Sequence, residues 1–151
     1  MSSSQLIQNV LVIEDNPACR DLMLLAFEEN QIPHHLHFVR TAEEALLFLR
    51  QQQPYADVPL PQLIFLALDL PGMHGAEFLN WLKQDLQLQF IPVIVLTNSG
   101  QPEEIFTSYR LQANCFLTKP YSLDDFFLLV QKCTLFWLDF PLVSPECGLT
   151  D

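Results

Sequence analysis

Five short apolar runs, each of strand length and each followed by an amphipathic stretch, constrain this chain more than any other feature. The first run, residues 10–13, reads Val-Leu-Val-Ile. A continuous apolar run, as opposed to an alternating one, is the pattern of a strand buried on both faces. It ends at Glu14-Asp15-Asn16-Pro17, where Pro17 suits the first helical position and Asn16 or Asp15 the cap. A helix then runs to about residue 29, with Leu22, Met23, Ala26 and Phe27 at helical spacing.

The pattern repeats. Residues 36–39 make a second, weaker strand. Thr41-Ala42-Glu43-Glu44 has the form of a capping box and opens a helix through Ala45, Leu46 and Leu49. Pro54, Pro59 and Pro61 break that helix into a loop, and residues 63–66 form the third strand. A turn at residues 71–75 leads to a short helix over 76–83. Residues 92–97 are the fourth strand, 102–111 a helix that Pro102 opens, and 115–118 a short fifth strand. Ser122 caps a last helix reaching residue 138. Five strands alternating with five helices predict an α/β, doubly wound (βα)5 sandwich around a parallel sheet. In such folds the site lies beyond the carboxyl ends of the strands. The residues there are Glu14, Asp15, Ala67, Asp69, Thr97 and Lys119.

The 151 residues suit a single domain over residues 1–140 with a tail over 141–151. Seven basic against 18 acidic residues, a net charge of -11, argue against nucleic acid as a partner and favour another protein. The charge also simply aids solubility. No apolar run is long enough to span a membrane, and the first residues lack a signal-peptide pattern. Cys19, Cys115, Cys133 and Cys147 are widely spaced, which fits free thiols in a reducing cytoplasm.

Two acids after the first strand, a hydroxyl after the fourth and a lysine after the fifth form a recognisable set. Together with residues 11–17, 63–75, 91–97 and 118–120, this set resembles the receiver domain of response regulators over nearly the whole chain. Residues 113–120 and the late Phe136-Trp137…Pro141 segment are similar to the stand-alone subgroup paired with bacterial phytochromes. The resemblance implies a flavodoxin-like strand order 2-1-3-4-5. It implies a metal site for Mg²⁺ at Glu14 and Asp15, with Asp69 lending a backbone carbonyl, and a phosphate switch of Thr97, Lys119 and Phe116. It implies a cis Lys119–Pro120 peptide and a sensor histidine kinase, phytochrome-like or other, or another signalling protein as partner.

One position departs from that pattern. The family places its phosphoacceptor aspartate four residues before the turn proline, and counting back from Pro71 lands on Ala67. Alanine offers neither a nucleophile nor a metal ligand. The expectation is a two-component receiver that fails to take phosphate, binds Mg²⁺ weakly with Asp69 partly substituting, pairs Lys119 with Asp15 or Glu14, and acts by docking. The alternative is a working phosphoacceptor, with Asp69 as surrogate or with Ala67 an engineered replacement of the aspartate.

Bland readings stand beside these. Glu14 and Asp15 serve equally as helix-capping acids, Thr97 as a strand filler and Phe116 as core. His35 and His37 share a strand face, but with His34 they suggest partly exposed strand residues more than metal ligands. On the last helix, Leu123, Phe126, Phe127, Val130 and Trp137 supply one buried stripe. Leu128, Leu129, Leu135, Phe136 and Leu138 are then surplus. That surplus suggests a homodimer through this helix and the tail. A flavodoxin-like nucleotide-binding enzyme is the alternative from another class. With only 4 glycines and acids after the first strand, the chain has no loop to cradle a phosphate.

Overall fold

The computed structural model describes residues 7–67, 70–97 and 113–138. Five strands form one parallel sheet: β1 (Asn9–Ile13), β2 (His35–Val39), β3 (Leu63–Ala67), β4 (Val93–Thr97) and β5 (Cys115–Thr118), in the order β2-β1-β3-β4-β5. Four helices accompany them: α1 (Pro17–Glu29), α2 (Ala42–Leu49), α3 (Gly75–Gln84) and α4 (Leu123–Trp137). The helix expected over 102–111 lies outside the described residues, as do Asp69 and the tail. Register runs Val12 opposite Phe65, Phe65 opposite Ile94 and Val95 opposite Phe116, so the strand ends line up across the sheet.

Strand parity divides the core into two layers, because successive side chains point to opposite faces. Leu11, Ile13, Ile64, Leu66, Val93 and Val95 pack with Ala42, Ala45 and Phe48 of α2 and with Phe78, Leu79 and Leu82 of α3. Val10, Val12, Leu63, Phe65, Ile94 and Leu96 pack with Met23, Ala26 and Phe27 of α1 and with Phe126, Val130 and Cys133 of α4. The continuous apolar runs of the inner strands thus serve two cores at once.

The helix starts are built from local hydrogen bonds. Asn16 caps α1, its Oδ1 accepting from the Ala18 N–H at 2.9 Å, and Pro17 follows at the first position. Thr41 Oγ1 accepts from the Glu44 N–H at 3.0 Å. Glu44 in turn accepts from the Arg40 N–H at 2.7 Å, one residue before the expected capping-box donor. His74 caps α3, a role the sequence reading passed over. Its Nδ1 accepts from the Ala76 N–H at 3.1 Å, and the Glu77 carboxylate accepts from the His74 N–H at 3.2 Å.

Three apolar residues fall elsewhere than expected. Leu22 and Leu123 are 37% and 47% exposed, whereas Leu138 is 2% exposed. The buried face of α4 runs through Phe126, Val130, Cys133 and Thr134, and one further turn reaches Leu138; Leu123 shares that face by helical angle but is the first residue of the helix and stays 47% exposed. Lys119–Pro120 is not cis; the cis bond among the described residues is Gln53–Pro54. A trans bond is the intrinsic preference of a prolyl amide. Cys19, Cys115 and Cys133 are free thiols.

Candidate functional site

The carboxyl ends of β1, β3 and β5 bring Glu14, Ala67 and Lys119 to one cleft of about 240 Å³. β1 delivers Glu14: its N–H donates to Val39 O at 3.0 Å, carrying the β1–β2 ladder one residue past the strand. β5 delivers Lys119 in the same way, its N–H donating to Thr97 O at 2.8 Å. Ala67 is the last residue of β3, opposite Leu96, and presents a half-buried methyl group between them.

The electrostatics centre on one ion pair. Lys119 Nζ lies 3.2 Å from Glu14 Oε1, and the two side chains are 15% and 11% exposed. The second carboxylate oxygen, Glu14 Oε2, accepts from the Asn16 N–H at 3.2 Å. Lys119 also donates to Cys19 Sγ at 3.3 Å. Of the two acids expected to hold Lys119, Glu14 does so; Asp15 is exposed at the start of the turn into α1. The pair replaces hydration with charge-assisted hydrogen bonds on both partners, which a largely buried charge requires.

Thr97 and Phe116 stand apart from this cleft's lining. Thr97, at the end of β4, is buried and pairs in register with Thr118. Phe116 is half-buried on β5, packed against the layer that α2 and α3 cover. Asp69, expected as a metal partner or surrogate acceptor, lies outside the described residues.

A divalent cation of the magnesium class wants several oxygen ligands at near-octahedral positions. Among the described residues no group of three or more His, Cys, Asp or Glu is placed to hold a metal ion. The carboxylates available are Glu14, already bound to an ammonium, and Asp15. These donors alone do not fit a divalent metal. The same holds for the histidines. His34 is buried with its Nδ1 accepting from the Gln8 N–H at 3.0 Å, and His37 Nε2 contacts Asn9 Oδ1 at 2.9 Å.

Sequence reasoning missed Cys19, Leu22 and Leu123 as parts of the cleft. The available signal was helical position. Cys19 is the third residue of α1, one turn beyond the acids, and Leu123 opens α4 beside the β5 end.

Comparisons with known proteins agree with this arrangement. The family model for the response regulator receiver domain matches residues 10–131. The chain is 40% identical over 130 residues to the response regulator Rcp1 of Synechocystis sp., covering 86% of this chain and 88% of that protein. Among solved structures it is similar to the phosphorylated cyanobacterial phytochrome response regulator RcpA. That match has a TM-score of 0.82 and 38% identity, over 88% of this chain and 95% of that one. It is also similar to the Mn²⁺-bound form of Rcp1, with a TM-score of 0.80 and 39% identity over 87% and 95% of the two chains.

Proposed function

The chain belongs to the response regulator receiver family, and from that premise we propose that it works as a phosphorylation-deficient receiver that signals by docking to a partner protein. The carrying observation is the Glu14–Lys119 pair beside the Ala67 methyl group. Phosphoryl transfer to a receiver needs a carboxylate nucleophile and a neutralising cation. At position 67 there is no nucleophile. Lys119, the cation that would grip a new phosphate, already spends its charge on Glu14 and a second hydrogen bond on Cys19. Such a pocket favours one conformation over two.

The partner, on this reading, is a sensor histidine kinase of the phytochrome kind, or another signalling protein in the cytoplasm. No described helix is long and apolar enough to cross a membrane. Mg²⁺ binding is weak, because a dication has to displace Lys119 from Glu14 and find its remaining ligand at Asp69. The chain has no independent enzymatic chemistry on this reading. The exposed Leu128, Leu135 and Phe136 of α4, half or more open to solvent in the last two, make that helix the contact face of a homodimer. Light scattering that gives a monomer at high concentration would overturn the dimer.

The decisive experiment is incubation with acetyl phosphate and Mg²⁺ followed by intact mass. An unchanged mass is expected. A stable phosphate adduct, mapped to Asp69, would restore the phosphoacceptor reading.

A further inference from the structure

The turn between α3 and β4, residues 85–92, is tied down from within and apolar on its outer side. Asp85 Oδ1 accepts from the Gln87 and Leu88 N–H groups, both at 2.9 Å. The Gln89 N–H donates to Asp85 O at 3.0 Å, and the Ile91 N–H to Leu88 O at 3.1 Å. Lys83 Nζ donates to Gln89 O at 3.3 Å and to Asn114 Oδ1 at 3.1 Å, an oxygen that also accepts from the Val93 N–H. Leu88 is buried in the core layer of α2 and α3. The same turn leaves Leu86 and Phe90 83% and 81% exposed. Two large apolar side chains held in water are a standing cost that a covering surface would recover.

The exposed side chains continue along the sheet. Ile7 and Leu60, 56% and 38% exposed, precede β1 and β3 as Phe90 precedes β4, and these three strands are neighbours. The ladder sets the segments side by side, with the Gln62 N–H donating to Asn9 O at 2.8 Å and the Ile64 N–H to Pro92 O at 3.0 Å. Adjacent strands lie about 4.8 Å apart. The amino-terminal end of the sheet therefore carries an apolar row, at the pole opposite the Glu14–Lys119 cleft. Residues 7–9, 58–62 and 84–92 hold one ionisable side chain, Asp85, in a chain with 17% charged residues. Its carboxylate is already engaged by two N–H groups. Such a surface offers no cation to a nucleic acid or a lipid headgroup, and little to a basic partner. It is complementary to itself: two chains of net charge -11 can meet there without setting acid against acid. We propose that this end of the sheet is an isologous contact between two copies of the chain, centred on Leu86 and Phe90 and separate from α4. The four side chains open roughly 450 Å² per copy. About 900 Å² for the pair lies at the low end of specific interfaces, so the contact is weak and depends on concentration.

The test follows sedimentation equilibrium and hydrogen exchange over a range of concentrations. It uses the full chain carrying Phe136→Ser, which weakens the α4 contact, so failure of that contact leaves the result unchanged. The weight-average mass is expected to approach a dimer, with exchange slowing in residues 84–92 and 58–62 as concentration rises. Adding Phe90→Gln, at a side chain outside the core, raises the dissociation constant about tenfold or more and leaves the thermal melt unchanged. Added salt leaves the association in place, because no charge pair holds it. A monomer at every concentration overturns the contact, as does a dimer that Phe90→Gln and Leu86→Gln both leave intact. Protection of residues 84–92 that persists at high dilution would show that the chain itself covers the row, and would overturn the second copy as its occupant.

Discussion

Lys119 Nζ and Glu14 Oε1 lie 3.2 Å apart although 105 residues separate them in the chain. The pair ties the end of β5 to the end of β1 across β3 and β4, over the spot where Ala67 presents a methyl group. A carboxylate at that spot would compete for the same ammonium and bring in a metal ligand. The behaviour of the cleft therefore turns on the charge at position 67.

Replacing Ala67 by aspartate is expected to restore the metal site. A further carboxylate beside Glu14 and Asp15 should tighten Mg²⁺ binding about tenfold or more. Calorimetric titration of both proteins with Mg²⁺ measures this. The same variant should gain the mass of one phosphate with acetyl phosphate. Equal Mg²⁺ affinity in the two proteins would show that position 67 does not face the acids.

Lys119→Met removes the partner of a carboxylate that is largely buried. Urea denaturation should show a loss of about 1–3 kcal/mol, the cost of leaving a buried charged acceptor unsatisfied. Glu14→Gln, which keeps the shape, should cost less, and the double variant should recover part of the loss. Additive effects would mean that the two side chains do not interact in solution.

Gly72 adopts φ +74°, in the turn between β3 and α3. A Cβ there would come within 2.9 Å of Glu43 Oε2. That oxygen accepts from the Met73 N–H at 3.0 Å, so α2 holds the turn. Gly72→Ala should cost about 1–2 kcal/mol from the left-handed backbone alone. Glu43→Gln, which keeps an acceptor, should cost less than Glu43→Ala in the same thermal melt.

His37 introduces a pH dependence. Burial, and then the neighbouring His35, hold its pKa below the usual 6.5. A depressed folded pKa means that the unfolded chain binds more protons between the two values. Stability from this site is therefore fully present above about pH 6.5 and is lost as pH falls through the folded pKa. Denaturation curves between pH 7 and pH 5 should show the decline, and His37→Gln should flatten it. An NMR titration placing His37 at or above 6.5 would contradict the direction.

The sequence alone determined the order of strands and helices in the described chain and most of their ends. Apolar periodicity and cap chemistry act over a few neighbouring residues, which is why the runs at 10–13 and 63–66, Pro17, Thr41 and Ser122 read correctly. Parity within those runs likewise determined which side chains serve each core layer. Only the tertiary structure decided that Glu14, not Asp15, holds Lys119, that Cys19 joins them, and that Leu138 is buried while Leu123 borders the cleft. Those contacts depend on sheet order, register and helix rotation. These are set by the packing of the whole core, and no local spacing of residues encodes them.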